Sequence, residues 1–223
     1  MAEQAVARTR EKIQSVTPWK RWNPEPFYRF GARWLTRLIY RPRYEGFENL
    51  PKSGAAIIIA NHISYVDGLI ISAACDRNIR YIIDKAIFEL PGVHYFMTLA
   101  KGIPVEPNRE SVTRMLEEVE NALREGDLVC IFPEGQLTYT GHLGRFRPGI
   151  EWILKRYPVP VYPIALKGLW GSVFSRKYRK SPLRWLPRFH KRRKIEAICG
   201  PMIPPAEASI NHLQKTVIEL LGK

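Results

Sequence analysis

Cysteine is scarce in this chain: three in 223 residues, Cys75, Cys130 and Cys199, with no CxxC pair. An odd number of thiols cannot pair completely, so no disulfide framework is expected and the thiols read as small core residues in a reducing compartment. The N-terminus lacks a basic stretch leading into an apolar h-region, the mark of a secretory signal. No apolar run approaches the ~20 residues that a spanning helix requires. Internal repeats and low-complexity tracts are absent, which sets solenoids and linkers aside. Acidic residues are in short supply, with 21 Asp plus Glu against 35 Lys plus Arg, a net charge of +14. A field of that sign attracts nucleic acid, anionic lipid or phosphorylated small molecules, without choosing among them.

What is present suffices for one full core. With 45% hydrophobic and 25% charged residues, a chain of this size buries roughly 70% of its unfolded surface and needs no metal or disulfide to hold it. After residue 45, short apolar runs alternate with amphipathic segments. Ala55–Ala60, Tyr81–Ile83, Gly102–Val105, Leu128–Phe132 and Val159–Leu166 read as strands buried on both faces. Tyr65–Ala74, Ala86–Ala100, Glu110–Arg124 and Gly149–Arg156 carry helical spacing, with Ile195–Ile198 as a last strand and a C-terminal helix around Glu207–Leu221. The alternation predicts a single α/β domain, a mostly parallel central sheet flanked by helices, over 45–223. Ahead of it, 1–44 reads as a basic amphipathic helical segment that docks on a membrane.

Two segments fall outside the alternation. Residues 18–44 carry Lys20, Arg21, Arg29, Arg33, Arg37, Arg41 and Arg43 against the single acid Glu25. Phe27, Phe30, Trp34, Leu35, Leu38 and Ile39 recur at helical spacing, and Arg29, Arg33, Arg37 and Arg41 every fourth residue on another face. An interfacial helix needs that division, rings in the headgroup boundary and guanidinium groups on lipid phosphates. A helix packed on the core with a solvated Arg face fits equally. The second segment, Lys167–Lys194, holds eleven Lys plus Arg and no acid, interleaved with Trp170, Phe174, Tyr178, Trp185 and Phe189. Such a stretch suits single-stranded nucleic acid, a membrane interface or a plain solvated excursion between two strands. No recognisable nucleic-acid motif accompanies it, so no nucleic-acid partner is expected.

The residues able to do chemistry stand at strand ends, where open α/β sheets build sites. Ala55–Ala60 empties into Asn61-His62-Ile63-Ser64-Tyr65-Val66-Asp67. A neutral imidazole can take a proton from a hydroxyl while a carboxylate on its other nitrogen fixes the tautomer. Ser64-x-x-Asp67 is also a capping-box pattern, under which Asp67 starts a helix and His62 is a loop residue. Leu128–Phe132 runs into Pro133-Glu134-Gly135, and Arg145 and Arg147 precede the next helix start, an arrangement suited to an anion. Lys101-Gly102-Ile103-Pro104-Val105-Glu106, with Arg109 beyond, adds cations. No Gly-x-Ser-x-Gly elbow occurs, and His94, His142, His190 and His212 are scattered, so neither a serine nucleophile nor a metal site is expected.

Taken together, Asn61-His62-x4-Asp67, Gly102-Ile103-Pro104-Val105, Phe132-Pro133-Glu134-Gly135 and Val161-Tyr162-Pro163-Ile164 resemble, in order and spacing, the four blocks of the glycerolipid acyltransferases, which include the 1-acylglycerol-3-phosphate acyltransferases. The resemblance covers about residues 45–170. It implies transfer of a fatty acyl group from a thioester, acyl-CoA or acyl carrier protein, to the free hydroxyl of a lysophospholipid, 1-acylglycerol-3-phosphate above all. No cofactor is implied beyond that co-substrate. His62 becomes the general base and Asp67 its partner. Glu134 and Gly135 shape the acceptor pocket, and Arg109 helps hold its phosphate. Peripheral attachment to the cytoplasmic face of an anionic membrane goes with this reading.

Two departures matter. The second block usually ends in Arg, whereas here Glu106-Pro107-Asn108 intervene before Arg109, and the third usually continues Gly-Thr-Arg-Ser, whereas here it runs Gly135-Gln136-Leu137-Thr138. Either Arg145, Arg147 or Lys101 takes the missing arginine's place, or the acceptor phosphate carries a headgroup, as in the branch that reacylates lysophosphatidylethanolamine. Two readings of another kind stand beside it: a basic nucleic-acid-binding module, and a non-catalytic relative that only binds membranes.

Overall fold

A computed structural model of the chain describes residues 25–178 and 192–222. Chain order runs α1 (Glu25–Ile39), β1 (Tyr40–Glu45), β2 (Ala56–Ala60), α2 (Asp67–Ala74), β3 (Ile79–Asp84), α3 (Lys85–Phe88), α4 (Val93–Leu99) and β4 (Ile103–Val105). It continues with α5 (Arg109–Arg124), β5 (Leu128–Ile131), α6 (Gly149–Arg156), β6 (Val161–Lys167), β7 (Arg193–Cys199) and α7 (Ile210–Gly222). Seven strands form one sheet in the order β1-β7-β6-β2-β5-β3-β4. Every pairing is parallel except β6 with β7. The expected α/β architecture is the one observed.

β2 shows why the sheet lies in the interior. All five of its residues are buried, with Ile58 facing one apolar cluster and Ile57 and Ile59 the other. A strand covered on both faces has no reason to alternate, hence the unbroken Ala-Ile-Ile-Ile-Ala run. Its parallel neighbours β5 and β6 bring their carboxyl ends to the same edge, Ile59 opposite Ile131 and Pro163. The loops after β2 and β5 therefore meet.

Three expectations need correction. The helix expected over Ala86–Ala100 is two short helices, because Pro91 supplies no backbone N–H and Gly92 turns left-handed (φ 84°). A boundary at 44/45 cuts through β1, an edge strand hidden in the sequence by Arg41, Arg43 and Glu45, its exposed face, and by Pro42, tolerated only at an edge. Finally, α1 presents its faces otherwise than the sequence suggests. The Arg29 guanidinium donates to the carbonyl of Asp76, and Arg33 donates to the carbonyl of Ala73 (3.0 Å) and pairs with the Asp76 carboxylate (2.6 Å). The bare carbonyls and negative dipole end of α2 draw these two arginines inward. Ala32 and Thr36 pack inward with them, leaving Phe30, Trp34 and Leu38 as an outward ridge. Among the described residues no helix is long and apolar enough to cross a membrane.

The basic excursion between β6 and β7 lies partly outside the described residues, including Trp185 and Phe189. In its described part, Trp170 and Phe174 pack against the core rather than standing free.

Candidate active site

The site begins with Asn61, the first residue past β2. Its buried side chain donates to the carbonyl of Leu166 (3.0 Å) and accepts from the amide of Leu166 (2.7 Å), extending the β2–β6 ladder by one rung. His62 follows, so its backbone leaves the sheet in a fixed direction. The amide of His62 donates to Oε1 of Glu134 (2.7 Å), and its carbonyl accepts from the amide of Thr138 (2.8 Å). Its ring stacks on Phe132, centroids 4.1 Å apart and planes within 16°.

The imidazole turns back onto Asp67, with Nδ1 2.8 Å from Oδ2. That oxygen also accepts from the amides of Ile63 (2.7 Å) and Ser64 (3.0 Å). The amide bond from Ser64 is half of a capping box. The other half is not made, since the Ser64 hydroxyl accepts from Val66 (3.2 Å) and the N-cap position falls to Val66. One carboxylate oxygen thus shapes the turn and holds the histidine together. Asp67 is fully buried while the His62 side chain is 23% exposed. A carboxylate on Nδ1 fixes the hydrogen there and leaves the Nε2 lone pair for an incoming proton.

Glu134, 5% exposed, is a staple between two loops. Oε1 takes the His62 amide, and Oε2 takes the amide of Gly144 (2.6 Å). Burial raises its pKa, and the two amides pull it partly back. A Cβ at Gly144 would sit 2.7 Å from Oε2, which is why glycine stands there. Gly135 is left-handed (φ 67°), and the side chain of Arg147 lies over it. The amide of Arg147 donates to the carbonyl of Pro133 (2.8 Å), tying the arginine's backbone to the same turn. Arg145 and Arg147, both exposed, line a cavity of about 820 Å³ together with Glu134, Thr138, His142 and Gln214.

Of the site residues read from the sequence, His62, Asp67, Glu134, Gly135 and Arg147 are brought together, and Arg145 shares the cavity. Arg109 opens α5 beyond the edge strand β4, two strands from β5 or about 10 Å at ordinary spacing. Lys101 is not brought to the site: it enters β4 rather than leaving it, so it stands at the amino edge of the parallel strands. Phe132 and Gly144 were missed. Only the position of Phe132, at the end of a strand next to the His62 strand, could have signalled its contact, and that requires the strand order.

The structure thus places a His–Asp pair at the carboxyl edge of an α/β sheet and a guanidinium over a neighbouring glycine turn, with Glu134 joining the His62 backbone to the cavity that Arg145 and Arg147 line. The sequence profile of the Acyltransferase family matches residues 41–167, and the chain belongs to that family. It is 31% identical over 149 residues to a chloroplastic 1-acyl-sn-glycerol-3-phosphate acyltransferase of Arabidopsis thaliana, covering 64% of this chain and 41% of that protein. With the 1-acyl-sn-glycerol-3-phosphate acyltransferase of Pseudomonas aeruginosa it shares 27% over 138 residues, 60% of this chain and 53% of the relative. The chain thus spans about half the length, or less, of these relatives. The crystal structure of the 1-acyl-sn-glycerophosphate acyltransferase from Thermotoga maritima has the same fold, with a TM-score of 0.67 at 21% identity over 88% of this chain and 76% of that one.

Proposed function

We propose that this chain transfers a fatty acyl group from an acyl thioester, acyl-CoA or acyl carrier protein, to the free hydroxyl of 1-acylglycerol-3-phosphate, in phospholipid synthesis. The observation that carries the reading is the His62 Nδ1–Asp67 Oδ2 contact of 2.8 Å. Two relatives named for this reaction support it. In the reaction, Nε2 of His62 takes the proton of the acceptor hydroxyl as its oxygen attacks the thioester carbonyl. The tetrahedral oxyanion collapses, the C–S bond breaks, and the departing sulfur receives the proton from the imidazolium. Asp67 holds the ring in the needed tautomer and stabilises the charge that forms on it. Arg147, with Arg145 beside it, receives the acceptor phosphate, and Arg109 adds to the field from further off.

The ridge of Phe30, Trp34 and Leu38 supports attachment to an anionic membrane surface, the source of both the acceptor and the product. Buried free thiols suit the cytoplasmic face. A second reading, reacylation of lysophosphatidylethanolamine, is favoured by one observation: the cavity continues past Arg147 to Ser209, Asn211 and Gln214, with space beyond a bare phosphate.

The test is mass spectrometry of products from a panel of lysolipids, each offered with acyl-CoA and with acyl carrier protein. Acylated lysophosphatidic acid is expected, and acylation of lysophosphatidylethanolamine alone would replace the first reading by the second. His62→Ala should lower the rate about 10²–10⁴-fold. Full activity in that folded variant would remove the mechanism.

A further inference from the structure

Asp67 has one oxygen crowded and one bare. Oδ2 takes three donors, from His62, Ile63 and Ser64, while Oδ1, equally buried, takes none from the described residues. A carboxylate oxygen left without a donor away from water is costly, so a donor is to be sought nearby. Two hydroxyls meet the requirement. Tyr40 begins β1, and Ser172 lies in the loop after β6. Both are buried, and the two hydroxyls lie close to each other without forming a well-aligned hydrogen bond to any described residue.

Three observations draw them toward Asp67. The loop carrying Ser172 is bound to the turn before α2, since the amide of Tyr65 donates to the carbonyl of Phe174 (3.2 Å) and Ser64 bridges Ser175. Tyr40 packs in one core cluster with Ile63 and Ile70, which flank Asp67, and with Leu169, which precedes Ser172. The electrostatics agree: burial raises the Tyr40 phenol, the Ser172 hydroxyl pulls it back, and the Asp67 charge pushes it up again.

We propose that Tyr40 and Ser172 are positioning residues: through one buried water held between their hydroxyls they serve Oδ1 of Asp67, and so set the orientation and basicity of the carboxylate that holds His62. Three polar partners are what a buried water ordinarily takes. The proposal rests on the acyl-transfer reading with His62 as base. It makes the strand that follows α1 part of the support of the reaction.

Among the described residues, the charged and titratable groups around this carboxylate are few. His62 lies on Oδ2, and Glu134 and the Cys130 thiol come from β5 and the loop after it. Tyr81 of β3 donates to the carbonyl of Gly68, and Arg193 of β7 stands beside Tyr40. The Cys130 thiol is held neutral by burial.

A donor on Oδ1 stabilises the carboxylate. Removing it makes Asp67 a stronger acceptor, and the imidazolium keeps its proton to higher pH. Tyr40→Phe, which keeps the ring and the packing, should move the acid limb of the kcat/KM profile upward by about one pH unit. Below that limb the rate should then fall about ten-fold, since one unit is a ten-fold change in the neutral base, with the acceptor KM on the plateau unchanged. Ser172→Ala should move the limb in the same direction. Tyr44→Phe is the control, since it removes another buried β1 hydroxyl, one facing Thr36. It should leave the limb where it is.

A Tyr40→Phe profile superimposed on the parent's, or an equal displacement by Tyr44→Phe, overturns the proposal. The His62→Ala result separates the two failures. If His62→Ala is inactive and Tyr40→Phe is unchanged, only the positioning role is lost. If His62→Ala is fully active, the acyl-transfer mechanism falls and this role with it.

Discussion

The side chain of Arg147 lies directly over Gly135. A Cβ on the glycine would stand 3.0 Å from Cδ and Nε of the arginine and 3.2 Å from Cζ. The glycine is therefore fixed twice, by its left-handed backbone and by its neighbour.

Gly135→Ala should cost about 1–2 kcal/mol in backbone strain and displace the guanidinium. Arg147→Ala should leave the melting temperature near that of the parent, because the side chain is exposed. Its effect belongs in the acceptor KM, raised about 10- to 100-fold for loss of a charge-assisted bond to phosphate, with kcat little changed. Steady-state kinetics and thermal melts separate the two. An unchanged KM in Arg147→Ala would take the arginine out of the acceptor site.

Asp67→Asn keeps the size of the side chain and one acceptor oxygen, which can still meet the amides of Ile63 and Ser64. What goes is the charge facing the imidazole. The variant should fold with a stability loss of about 1–3 kcal/mol. Its kcat should fall about 10²–10⁴-fold, because the imidazolium formed during transfer is no longer stabilised. Circular dichroism and kcat on the same preparation decide it, and a folded variant of parental kcat would reduce Asp67 to a turn-former.

Much of this was legible from the residues, and the limits have physical causes. The unbroken run at β2 announced a strand covered on both faces, and the Gly and Pro positions punctuated the rest. His62 and Asp67 were readable as a pair because they stand five residues apart just past one strand end. Glu134 was readable as a site residue but not as a staple, because its partners Gly144 and the His62 amide are joined only by the sheet order. β1 escaped because edge strands carry charges and proline, the features that argue against a strand elsewhere. The inward turn of Arg29 and Arg33 escaped because periodicity gives faces but not what each face meets.

Alkaline stability follows from two protons held deep in the fold. Burial pushes the Tyr44 phenol and the Cys199 thiol up to about 12. Unfolded, they ionise near 10 and about 8.5. Between those values and 12 the native state binds more protons than the unfolded chain, so stability falls as pH rises. Their contribution is complete below about pH 8.5 and is lost on passing 12. Denaturant melts from pH 8 to 12 should show the decline, and Tyr44→Phe should flatten it. A slope untouched by that substitution would mean the phenol ionises freely in the fold.

The outward ridge of α1 makes the sharpest prediction about location. Phe30, Trp34 and Leu38 are 72%, 60% and 55% exposed, spaced by four, and so form one stripe. Arg41 on β1 stands across from Lys194 on β7, two like charges side by side at the sheet edge in the strand that follows α1. Such a pair is unfavourable unless an anion lies against it. Both features favour a negatively charged bilayer as the covering surface. Burying large apolar side chains is worth roughly 1.5–3 kcal/mol each, so Phe30→Ser, Trp34→Ser and Leu38→Ser combined should weaken binding to anionic vesicles by well over about 100-fold. The melting temperature should hardly move, because these side chains support little of the fold. Flotation with anionic and zwitterionic vesicles reads the first effect, and high salt should weaken the parent on anionic vesicles alone. Undiminished flotation of the triple variant would show that another face meets the membrane, and the ridge would then need a different explanation.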